Sequence, residues 1–120
     1  MNVVLLLGTL SRDPELRTLR SGTVVLSLDL TTRSDDGVAA SVPIAWFDPP
    51  DSSAALVGGQ QVVVVGHVCR RFFSAGGGTQ SRTEVVAERI VPARQTKRVQ
   101  TAVDQAVVRI ATDLTVAAGL

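Results

Sequence analysis

The chain has no tyrosine, one tryptophan, three phenylalanines, one histidine and one cysteine among its 120 residues. The single thiol, Cys69, excludes an intramolecular disulfide and a zinc site built from cysteines, and a reducing compartment fits it best. His67 lies two residues away, but two donors do not make a metal centre and no second histidine extends them. No metal and no cofactor is expected. No apolar run approaches the roughly eighteen residues that a membrane span needs. The amino terminus enters apolar sequence without a basic segment or cleavage site, so a cytoplasmic location is expected. Asp48 and Asp51 stand in a proline-rich connection with neither base nor nucleophile beside them, and the chain does not read as an enzyme.

An excess of one charge is missing too. Twelve basic residues face eleven acidic ones, for a formal net charge of +1. That total hides an asymmetry. Residues 1–92 hold eight arginines against nine acids, a net of −1, while residues 93–120 hold four basic residues against two acids, a net of +2. Nucleic-acid binders usually carry a larger basic excess, so such a function has to rest on local arrangement. Eleven of the basic residues are arginine, the side chain suited to forked phosphate contacts and to stacking. What the chain does have is apolar residues, 45% of the total with a mean hydropathy of +0.27. A one-domain chain this apolar is expected to hide surface against further copies of itself.

The apolar residues fall mostly into strands. Residues 2–10 are β-branched and leucine-rich and too few for a helix. Residues 22–32 alternate, with Val24, Leu26, Leu28 and Leu30 on one face and Val25, Ser27, Asp29 and Thr31 on the other, which predicts a half-buried strand. A polar turn centred on Asp36-Gly37 follows. Residues 41–47 form a third strand in which Pro43 demands an edge, a bulge or a place among the first residues. The segment DPPDSSAALVGG predicts a short helical piece, capped by Asp51 or Ser52 and ended by Gly58-Gly59. Residues 60–73 predict a long strand able to bend at Gly66, SAGGGTQS a flexible tip, and 82–91 the returning strand. Five strands with a short helix between the third and fourth make a mainly β chain in the order of an OB-fold barrel. Residues 1–92 are then that domain, and 93–120 a linker and an amphipathic helix over about 98–117. Its stripe of Val99, Val103, Ala106, Val107, Ile110 and Leu114 has to be covered by the parent barrel or by a neighbouring subunit.

Three segments resemble bacterial single-stranded DNA-binding proteins: GTLSRDPELR near the start, QVVVVGHVCRRF in the fourth strand and RTEVVAERI in the fifth. They stand in the family's order and spacing across residues 2–92. The resemblance implies an OB fold, usually a homotetramer, that wraps single-stranded DNA without sequence preference in replication, recombination or repair. In GTLSRDPELR, Pro14 stiffens a turn in which Asp13 can accept local backbone hydrogens, and Arg12 and Arg17 are left to face phosphates.

Holding a single strand takes cations along the backbone and flat side chains under the bases. Trp46-Phe47 and Phe72-Phe73 are adjacent pairs, and neighbours on a strand point to opposite faces. The family resemblance puts Phe47 and Phe73 at stacking positions, leaving Trp46 and Phe72 for the interior or an interface. It also matches Arg17 and Arg71 to basic positions, with Arg71 on one face with His67, Cys69 and Phe73. Arg33 and Arg82 flank the two loops expected to wall the groove. The candidate nucleic-acid-binding residues are therefore Arg12, Arg17, Arg33, Phe47, Arg71, Phe73 and Arg82. Two departures stand against this. Ser41 and the Ser34-Asp35-Asp36 turn occupy places where relatives carry aromatics, and the chain ends in TDLTVAAGL where the family carries a long tail with an acidic tip. Both point to a short, divergent paralogue. A protein-interaction module with weak or lost nucleic-acid binding is the alternative, pairing with another single-stranded DNA-binding protein or docking to a replication or recombination protein through the terminal helix.

Overall fold

A computed structural model describes residues 1–119, apart from the side chains of Phe73 and Ala75. The chain runs through β1 (Val4–Leu10), β2 (Glu15–Thr18), β3 (Val24–Arg33), β4 (Ala39–Phe47), a 3-10 helix at Asp51–Ala55, β5 (Gln61–Ala75), β6 (Gly78–Pro92) and α1 (Thr96–Ala117). β1 pairs with β5, β5 with β6, β6 with β4 and β4 with β3, and the end of β3 returns to β1 through Thr9↔Thr31 and Leu10↔Leu30. Five strands thus close in a ring, antiparallel at every seam except β4–β6. This order, with a helical segment between β4 and β5, is consistent with the OB fold.

The local reasons follow from the side-chain pattern. Leu26, Leu28 and Leu30 of β3 point inward, as their alternation predicts, and meet Ile44, Val62 and Val64 in the main core. β5 bends at a register shift between Val65 and Gly66. Pro43 lies where β4 has β3 on one side only, since its pairing with β6 begins at Ile44. Its missing N–H therefore costs no ladder bond.

Three expectations need correction. There is a sixth strand, β2, where only a turn was read. Ring closure uses β3 at Leu30 and Thr31, which leaves its edge open from Val24 to Ser27, and Glu15–Thr18 pairs there. The expected flexible tip is instead a tight hairpin. Gly76 and Gly77 adopt φ of 57° and 83°, the left-handed pair that a two-residue turn between twisted strands requires, and pairing continues up to Ala75↔Gly78. The 3-10 helix starts after Pro50 without a side-chain cap, so neither Asp51 nor Ser52 fills that role.

α1 lies on the outside of the ring, against β5 and β6. It docks through the small residues Ala102 and Ala106, which bury Val65 and Val91 with Val3 and Val99 alongside. The large members of its stripe remain outside: Val107 is 54% exposed and Leu114 64%. The ring covers only one edge of that stripe. Arg109 donates to Glu88 at 2.5 Å, and the amino terminus sits 3.3 Å from Asp113, so the helix beyond the docked alanines is tied by charge at two points.

Candidate nucleic-acid interface

The turn that precedes β2 shapes the site. Asp13 does accept a backbone hydrogen, but a distant one: the Gly58 N–H, at 2.7 Å. A Cβ on Gly58 would lie 2.9 Å from the Arg12 carbonyl carbon, so only a glycine lets the turn seat against the loop after the 3-10 helix. With the turn fixed, β2 runs along β3 and sets Glu15 opposite Ser27 and Arg17 opposite Val25.

The polar face of β3, which the alternation leaves on the solvent side, becomes the floor of a cleft of about 190 Å³. Arg12, Arg17, Arg71 and Arg82 all line it, together with Glu15, Asp29 and Glu84. Arg12 donates to Asp29 at 2.7 Å and stands 3.5 Å from Glu15. The Asp29 hydrogen bond, more than any other contact, raises the Arg12 pKa further above its ordinary value. Arg17 donates to the Ser27 hydroxyl at 3.1 Å. Strand pairing places Arg71 opposite Arg82, and Glu84, two residues along β6, sits diagonally to Arg71. Arg71 Nε is 2.8 Å from Glu84 Oε1. The contact is ionic rather than an aligned hydrogen bond, since Oε1 has no hydrogen-bond partner among the described residues. Glu84 is only 6% exposed, the one buried charged residue among those described. Arg82 makes neither a hydrogen bond nor an ion pair among the described residues and projects into solvent.

Phe47 ends β4 beside this cleft, half-buried, with the Arg71 guanidinium 5.7 Å from its ring centre. Trp46, its neighbour, is turned inward and 7% exposed. The expected division of that pair is what the fold produces. In the second pair, Phe72, expected in the interior or an interface, is outside the interior of this chain, 69% exposed with Arg70 5.8 Å from its ring centre. The far half of the β5–β6 hairpin extends past the ring, so its second face has no core to enter. Phe73 pairs with Gln80 through the backbone, and its side chain lies outside the described residues.

Arg33 does not join the other arginines. It donates to the Gly37 carbonyl at 3.3 Å and lines a separate depression with Thr9, Thr31 and Gln61. The turn beyond it is self-contained. Asp36 accepts from the Ser34 hydroxyl and the Val38 N–H, and these bonds, the hydroxyl first, lower its pKa. On the outer side His67 Nδ1 is 3.6 Å from Glu88. Sequence reasoning passed over the carboxylates Asp29, Glu15 and Glu84. Asp29 was legible as the one charge on the polar face of an alternating strand, whereas nothing local marks Glu84 as buried.

A grooved ring with arginines along one cleft and an aromatic at its rim is a form many unrelated proteins take. The model of the single-strand binding protein family matches residues 1–93. The chain belongs to that family. The match ends before α1, which starts at Thr96, so the helix lies outside the matched residues. No curated protein matches the chain. Membership makes single-stranded DNA the expected ligand and binding, not catalysis, the expected activity. No helix among the described residues is long and apolar enough to cross a membrane.

Proposed function

We propose that this family member binds single-stranded DNA without sequence preference, with bases stacked on Phe47 and Phe73 and phosphates on Arg12, Arg17, Arg71 and Arg82. The observation that carries this reading is the convergence of four arginines, drawn from the first turn, β2, β5 and β6, on one cleft beside Phe47. None of these contacts reads a base edge, so the binding depends on backbone charge and stacking. Arg33 has no part in it. The setting we assign is DNA replication, recombination or repair in the cytoplasm.

We also assign self-association, as a homotetramer. Leu5 and Leu7 of β1 are 42% and 57% exposed, on the face opposite the core. Val3, on the same face by alternation, already packs under α1. The exposed edge of the α1 stripe thus continues into the outer face of β1, an apolar surface of the kind that copies of a chain cover for one another. Light scattering on wild type and on Leu7→Glu tests this, with a smaller assembly expected from the variant.

The decisive test of binding is fluorescence anisotropy of a labelled oligo-dT at two salt concentrations. Binding that weakens steeply with salt is expected, because phosphate contacts release counterions. A folded protein that binds nothing at low salt would overturn the reading. It would favour the second one, an interaction module for another single-stranded DNA-binding protein or a replication or recombination protein. One observation favours that alternative: Arg12 and Arg71 are already occupied by carboxylates.

A further inference from the structure

The path that begins at the arginine cleft does not stop at Phe47. A second cleft, of about 390 Å³, is lined by Phe47 itself together with Trp46, Asp48, Arg89 and Arg98. An adjoining hollow of about 170 Å³ shares Trp46 and Arg98 and adds Arg94. Phe47 is therefore common to two sets of arginines, since the Arg71 guanidinium is near its ring and the ring also lines the cleft of Arg89 and Arg98.

The two sets differ in how their charge is met. Arg98 donates to Gln95 at 2.5 Å and Arg89 to Gln105 at 2.7 Å, and both acceptors are neutral. Among the described residues, Arg94, Lys97 and Arg98 are exposed and none of the three, nor Arg89, is in an ion pair. The acids bordering this region are Asp48 and Glu88, and Glu88 is already engaged by Arg109. Three arginines, Arg89, Arg94 and Arg98, thus face one unengaged carboxylate. Arg94 and Arg98 belong to the segment after residue 93, beyond the part matched by the family.

We infer that the single strand runs on past Phe47 into this second cleft and over the start of α1, where Arg89, Arg94 and Arg98 hold its phosphates. The inference rests on the reading of the arginine cleft as a single-strand site and extends that site beyond the ring. The ligand is the phosphodiester backbone of the same strand. A separate acidic partner would explain the charge but not its continuity with the Phe47 ring.

The test compares the full chain with its Arg94→Gln/Arg98→Gln variant on labelled oligo-dT of about 8 and about 30 nucleotides, lengths that respectively fill one OB-type site and overrun it. Affinity is measured across a salt series. The variant is expected to bind the short strand as wild type does and the long strand several-fold more weakly. Its log–log salt slope on the long strand should be shallower by about 1.4, from two phosphate contacts at about 0.7 each. An Arg94→Lys/Arg98→Lys variant, which keeps both charges, should recover most of that slope. Unchanged affinity and slope on the long strand would overturn the inference while leaving the parent reading intact. A lysine variant as weak as the glutamine variant would also overturn it, since charge would not be the cause. Wild type that binds neither length would overturn the parent reading itself, and this one with it.

Discussion

Two clefts with arginines lie next to one phenylalanine, and the partners that hold those arginines differ in charge. Arg12 and Arg71 are paired with Asp29, Glu15 and Glu84, while Arg89 and Arg98 donate to glutamines. A carboxylate partner fixes a guanidinium in place and cancels the field it offers an anion; an amide partner restrains it and leaves the field intact. A count of arginines therefore says little about the positive charge a phosphate would meet. Arg12 and Arg71 are the more firmly held, and Arg89 and Arg98 the more available.

The comparison can be broken most easily through stability. Arg71→Ala would leave Glu84 buried with no counter-charge, and the expected cost is about 2 kcal/mol, below that of a fully buried pair because Arg71 is itself half-exposed. Arg98→Ala should cost under about 0.5 kcal/mol. Urea unfolding of the two variants measures both, and equal costs would erase the distinction. Phe47, common to both sets, is next. Phe47→Ala is expected to weaken oligo-dT binding about tenfold or more, the value of one stacking platform, and titration of the labelled strand reads it directly.

Glu84→Gln sharpens the comparison by turning one kind of arginine into the other. Freed of its competitor, Arg71 should bind phosphate more readily, giving affinity a few-fold tighter and a salt slope steeper by about 0.7. The same substitution made on an Arg71→Ala background should have little effect, and a gain that persists there would mean that Glu84 acts through the general field instead. The smallest effect belongs to the helix. The Arg109 hydrogen bond, helped by His67, lowers the Glu88 pKa below its ordinary 4.5. A carboxylate with a lowered pKa contributes in full above about pH 4.5 and loses its contribution as pH falls through the lowered value. For this half-exposed pair the loss should be under about 1 kcal/mol. Thermal melts between pH 6 and pH 3 should show this step in wild type and lack it in Glu88→Gln.

Much of this is legible in the residues themselves. The alternation of Leu26, Leu28 and Leu30 marks a strand because a half-buried strand has no other way to sort its side chains. Arg17 and Arg71 could be selected because they match basic positions of the family, and Arg12 and Arg82 because they border a turn and a loop. Other features were hidden. β2 exists because ring closure leaves one edge of β3 unpaired, and that is a property of the whole sheet. The predicted stripe of α1 includes Val99 and Ala106, which do dock, but not Ala102, whose small side chain lets the helix lie close to the sheet.

The sequence by itself determined the strands, the order in which they follow, the family and the residue types available for holding a strand, because these depend on local pattern and on neighbours along the chain. Only the tertiary structure decided which arginines share a cleft, which of them a carboxylate already holds, and that Phe47 borders a second basic surface. Those facts depend on distances between residues far apart in sequence, and a charge acts on whatever the fold brings within a few ångströms of it.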